Sequence, residues 1–112
     1  MTDLDKIRLC AEAMGYRIVY PDESALPLSI EINGIGSQRY NPLCSDAYGE
    51  AQCMALVKKF HIQLDKTLRT QENLNGMWIA SHTDKFVSEP TDDLNAAVVE
   101  CVAMMQAAKV AA

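Results

Sequence analysis

The stretch Leu28-Ser29-Ile30-Glu31-Ile32-Asn33-Gly34-Ile35-Gly36-Ser37-Gln38-Arg39-Tyr40-Asn41-Pro42 decides the fold, because its first five residues keep a period of two and the rest keep none. Apolar Leu28, Ile30 and Ile32 alternate with Ser29 and Glu31, the mark of a strand with one buried and one wetted face. Upstream, Tyr16 to Tyr20 is β-branched and aromatic enough for a partner strand, and Pro21-Asp22-Glu23-Ser24 has turn chemistry. The pair reads as an antiparallel hairpin. After Asn33-Gly34 the chain is so rich in turn formers that residues 34–42 read as its longest irregular loop.

Outward from this hairpin the pattern becomes helical on both sides. Thr2 or Asp3 can cap a first helix with the stripe Leu4, Ile7, Cys10, Ala11 and Met14, and Gly15 stands where a left-handed residue ends a helix. Ser45 or Asp46 can cap a second helix with Ala47, Ala51, Met54, Ala55 and Phe60 inward and Lys58 and Lys59 at its negative end. Gly49 weakens this helix by about 1 kcal/mol relative to alanine. Ile62, Leu64 and Leu68 alternate with polar residues, and Asn73-Leu74-Asn75-Gly76 turns the chain into Met77 to Ser81, giving a second hairpin that Phe86-Val87 can extend. Ser88 or Thr91 opens a third helix with the stripe Leu94, Ala97, Val98, Cys101, Met105 and Ala108. The expected fold is therefore α+β over a single domain, residues 1–112. Its order is α-β-β-α-β-β-α, with an antiparallel sheet of about four strands and three helices in a two-layer or α/β/α sandwich.

Composition narrows the classes of function. With 49% hydrophobic and 22% charged residues, the 112-residue chain can build a core without a cofactor. Fifteen acidic against ten basic residues leave a net charge of −5, which opposes binding to a phosphate backbone. The expectation is no nucleic-acid partner. The acidic start Met1-Thr2-Asp3-Leu4-Asp5 is unlike a secretory signal, and no apolar run approaches the ~20 residues of a membrane span, so a cytoplasmic protein without a membrane partner is expected. Cys10 and Cys101 lie on apolar stripes, and all four cysteines are expected to be free thiols.

Tyr40-Asn41-Pro42-Leu43, the run Ala51 to Phe60, the strand bearing Trp78, and Asp93 to Val102 form a spaced set that resembles the phage ABA sandwich domain family. The resemblance covers about residues 10 to 108. It implies α/β/α layering and an accessory role in a phage or prophage programme inside a bacterial host, and it brings no catalytic residues with it.

Chemical motifs are sparse. Gly34-Ile35-Gly36-Ser37-Gln38-Arg39 resembles a dinucleotide fingerprint, but Arg39 stands where the third glycine belongs. His61, His82, Cys44 and Cys53 lack zinc-ligand spacing, and Cys44 with His82 supplies only the generic inventory of a nucleophilic site. No catalytic residue, metal or cofactor is expected. Trp78 reads as a core anchor.

The leading expectation is a non-catalytic binding or interaction module whose partner is a host or phage protein; a homodimer is also compatible with the sequence. The alternative is a binder of a small anionic ligand or nucleotide at the 34–42 loop. Gln38, Arg39, Tyr40 and Asn41 are the candidate binding residues: Arg39 offers a planar five-donor fork, Tyr40 an amphipathic surface, and the two amides neutral hydrogen bonds. In the competing reading Tyr40 folds back onto the core and Asn41-Pro42 only shapes the approach to the second helix.

Overall fold

A computed structural model describes residues 1–20, 25–32, 34–67 and 76–111. The order of elements is α1 (Asp3–Ala13), β1 (Arg17–Ile18), β2 (Leu28–Ile32), β3 (Ile35–Tyr40), α2 (Ala47–Phe60), β4 (Gln63–Lys66), β5 (Trp78–His82), β6 (Phe86–Val87) and α3 (Leu94–Ala111). The chain is α+β with three helices, but its strands form two three-stranded antiparallel sheets, β1-β2-β3 and β4-β5-β6, where the sequence suggested one sheet of about four. The extra strand is β3. What reads as an irregular loop pairs with β2 from Leu28↔Tyr40 to Glu31↔Ser37, with a register shift next to Ile32. An edge strand bonds through its backbone on one side and needs no apolar alternation when little covers its faces, so Gly36, Ser37, Gln38 and Arg39 remain exposed within it.

The second sheet follows the expected hairpin, Gln63↔Ser81 to Lys66↔Trp78, and Phe86-Val87 extends it as β6. The expected turns at residues 21–24 and 73–75, and Leu68, lie outside the described residues. Each sheet has one buried face: Leu28, Ile30 and Tyr40 in the first, Ala80 with half-buried Leu64 and Trp78 in the second. On the opposite faces Arg17, Ser37, Arg39, Gln63 and Asp65 are exposed, so no described helix covers them and the α/β/α arrangement is not formed there.

The helices start where the sequence allows. The Thr2 hydroxyl accepts the Asp5 N–H and the Asp5 carboxylate accepts the Thr2 N–H, each at 3.1 Å, a reciprocal cap that also holds the Asp5 carboxyl below its usual range. Ile7, Cys10 and Ala11 are buried along α1, and Gly15 takes φ +80° after it. Asp46 caps α2, and the Asp93 carboxylate accepts the Asn95 N–H at the start of α3. Ser88 opens no helix; its buried hydroxyl accepts the Ala80 N–H at 2.9 Å.

By length and hydropathy α3 resembles a membrane span, but its apolarity has a local cause. It packs on α1, α2, β5 and β6, so Ala97, Val98, Val99, Cys101, Val102 and Ala103 are buried on several sides. Ala108 is exposed. The inward face of α2 is only partly the expected one: Phe60 packs against the core, but the buried positions are Gly49, Cys53 and Leu56, whereas Ala47, Ala51 and Met54 are exposed. A Cβ on Gly49 would overlap the Cys44 carbonyl, so the glycine permits a close approach that sets the rotation of the helix. All four cysteines are free.

Candidate functional site

Where β3 runs into α2, the chain leaves a cavity of about 610 Å³ within the size range of ligand pockets. Gln38, Arg39 and Asn41 line it from the strand side, Cys44 and Asp46 from the connection, and Tyr48, Gly49 and Gln52 from the first turns of α2; Pro27 completes the wall. Three of the four residues singled out from the sequence therefore meet here. The fourth does not. Tyr40 is 1% exposed and stacks edge-to-face on Tyr16, with ring centroids 5.6 Å apart. Its hydroxyl is buried without a hydrogen-bond partner among the described residues, and burial, reinforced by neighbouring Cys10, Tyr16 and Cys53, pushes its ionisation upward. Alternation along β3 turns Tyr40 inward with Leu28 and Ile30, so the core reading of this tyrosine holds.

Asn41 is half structural: its side-chain oxygen accepts the Leu43 N–H at 3.2 Å and its carbonyl accepts the Cys44 N–H at 3.1 Å, shaping the turn into α2. Gln38 and Arg39 remain exposed, and among the described residues Arg39 makes no ion pair. On the helix side the Asp46 carboxylate accepts the Gly49 N–H at 2.7 Å, so a negative charge of the chain itself already occupies the positive end of α2. The Cys44 carbonyl accepts a hydrogen bond from the Asn95 side-chain amide at 3.1 Å, which ties this corner to α3.

Two contributors escaped sequence reasoning. The Gln52 amide donates to the Arg39 carbonyl at 2.7 Å, while its oxygen accepts the Asn41 N–H at 2.8 Å. One side chain thus satisfies both groups that flank Tyr40 on the free side of β3. Tyr48 is 81% exposed, with Ala47, Ala51 and Met54 beside it on the same uncovered helix surface. Neither carries a local signal, since a glutamine and a tyrosine in a helix are ordinary until the rotation of α2 is known.

The cavity lining holds a guanidinium, three carboxamides, a thiol, a carboxylate and a phenol, but no histidine. That set offers charge and hydrogen bonds for binding and orienting a partner. His82 lies on β5, its Nδ1 donating to the Phe60 carbonyl at 2.9 Å. Among the described residues no three His, Cys, Asp or Glu side chains are grouped to hold a metal ion. Burial pushes the other thiols up, Cys10 to about 12 and Cys53 and Cys101 to about 11, which makes them poor nucleophiles. No family model, curated protein or solved structure matches the chain.

Proposed function

We propose that the chain is a non-catalytic accessory protein of phage or prophage type, acting in the bacterial cytoplasm as a protein-interaction module through the corner of β3 and α2. The observation that carries this reading is the nearly fully exposed Tyr48 beside Arg39 on the rim of the cavity, continuous with the uncovered Ala47, Ala51 and Met54. Tyrosine and arginine are the residue types on which interface energy concentrates, and an apolar surface bordered by polar groups suits a protein partner. The net charge of −5 supports a protein partner over nucleic acid. An anionic small ligand is the weaker alternative, because the Asp46 carboxylate sits in the cavity wall at the helix end that would otherwise attract it.

Two measurements test the reading together. Nucleotides and inorganic phosphate should leave the melting temperature unchanged, whereas a true ligand at one hundred times its dissociation constant would stabilise the fold by about 2.7 kcal/mol. Affinity capture from infected or lysogenic cells should retain a protein with the native chain and lose it with Tyr48→Ala combined with Arg39→Ala. Stabilisation by the nucleotide panel, with capture unaffected by the double substitution, would contradict the proposal.

A further inference from the structure

The interaction reading can be carried to a class of partner through the backbone hydrogen bonds of the first sheet. The Ser29 carbonyl accepts the Val19 N–H at 2.9 Å, so Ser29 directs its backbone groups toward the β1 side. Because antiparallel pairs alternate, the bonds joining β2 to β3 fall at Leu28↔Tyr40 and Ile30↔Gln38. Ser37 and Arg39 therefore aim their backbone groups away from β2, as the Gln52 bond to the Arg39 carbonyl confirms for that residue. Gln52 closes this side at Arg39 C=O and Asn41 N–H, leaving Ser37 N–H, Ser37 C=O and Arg39 N–H open among the described residues on an exposed strand.

Resting on the interaction reading above, we propose that β3 binds a short, extended, acidic segment of another polypeptide as a fourth strand of the first sheet. The three open backbone groups supply the main-chain recognition of strand addition. Side-chain selection comes from charge. On the outer face of this sheet Arg17 and Glu31 stand opposite each other and pair at 2.6 Å, while Arg39 projects from the same face with no ion pair among the described residues. A carboxylate on an added strand opposite Arg39 repeats the Arg17–Glu31 pairing one strand further out. Residues 35–40 contain no carboxylate, so the same edge of a second copy cannot offer Arg39 that partner. Beyond Arg39 the Gln52 amide ends the pairing, and the incoming segment must leave the edge over the cavity, where Gln38 and Tyr48 meet its next side chain.

The test uses a displayed library of random linear peptides selected on the whole chain. Selected peptides should be enriched in Asp or Glu, and a bound peptide should slow amide exchange at Ser37 and Arg39 by about tenfold or more. Ser37→Pro removes an outward donor that the fold does not use, a change edge strands tolerate, and should weaken peptide binding by about tenfold with an unchanged melting temperature. Arg39→Glu should shift selection to basic peptides, which keeps the proposal testable if the proline variant fails to fold. Peptides that bind without slowing exchange at Ser37 and Arg39, while protecting the Tyr48 surface of α2, would overturn strand addition and leave the interaction module standing. A library yielding no binder, with stabilisation by the nucleotide panel, would overturn both. Slow exchange at these two amides in a peptide-free dimer would assign the edge to a second copy and overturn the proposal.

Discussion

The two sheets share one core but treat their outer strands differently. In the second sheet β6 has only two residues, and β4 exposes Gln63, Asp65 and Lys66, with the Lys66 ammonium 4.9 Å above the Trp78 ring. Short strands and charge are common ways to discourage edge pairing. In the first sheet β1 also has two residues, but β3 has six, exposed from Gly36 to Arg39 and closed at its end by a single glutamine. A long edge left open beside a cavity is a liability unless something binds it. That difference is why strand addition is proposed at the first sheet and not the second.

Both sheets share one core, the second packed directly on α3 and the first joined to it through α1, and the largest expected effect tests that sharing. Val98 is fully buried, so Val98→Asp places an unpaired charge in the core and should largely unfold both sheets in one transition, whereas Lys109→Glu should be near neutral. Separate melting of the sheets, or equal melting temperatures for the two variants, would break the picture of a shared core.

A sharper test lies at the corner itself. Helix propensity alone makes Gly49→Ala stabilising by about 1 kcal/mol, but the added Cβ would strike the Cys44 carbonyl. The structure thus reverses the sign: thermal or urea denaturation should show a loss of about 1–3 kcal/mol. Gln52→Ala should cost about 1–2 kcal/mol in the same measurement, since two hydrogen bonds vanish from a partly exposed site.

The buried thiols add a pH dependence of the core. Burial raises Cys10 to about 12 and Cys53 and Cys101 to about 11 from an ordinary 9.0, so the unfolded chain loses these protons first. Stability should be full below about pH 9 and decline as pH rises toward 11–12. The decline should shrink in Cys10→Ala compared at matched starting stability. The smallest effect is expected outside the core: Gln38→Ala with Arg39→Ala should change stability by less than about 1 kcal/mol while weakening binding of the selected peptides.

Much of this architecture was legible in residues whose local preference and tertiary role agree. The Thr2 cap and the Ile7-Cys10-Ala11 stripe of α1, the alternation in β2, and Val98 and Cys101 on α3 point the same way in sequence and in space. β3 was not legible, because it joins β2 through backbone atoms across a register shift at Gly36, and Gly36 to Arg39 lack a covered face to impose a period. The rotation of α2 was not legible either: the stripe Ala47, Ala51 and Met54 reads as inward, whereas the more apolar Cys53, Leu56, Val57 and Phe60 face the core and Gly49 fits against the Cys44 carbonyl. The candidate site was half legible: Gln38 and Arg39 lie where the sequence pointed, Tyr40 turns into the core by strand alternation, and Gln52 and Tyr48 depend on a rotation only the fold reveals.

Native-state amide exchange of the free protein, resolved residue by residue along β3, tests the account at its centre. The account predicts alternation: slow exchange at Gln38 and Tyr40, which bond to β2, fast exchange at Ser37 and Arg39, and slow exchange at Asn41 that becomes fast in Gln52→Ala. Equal protection of Ser37, Gln38, Arg39 and Tyr40 in the monomer, or an Asn41 amide indifferent to Gln52, would contradict it.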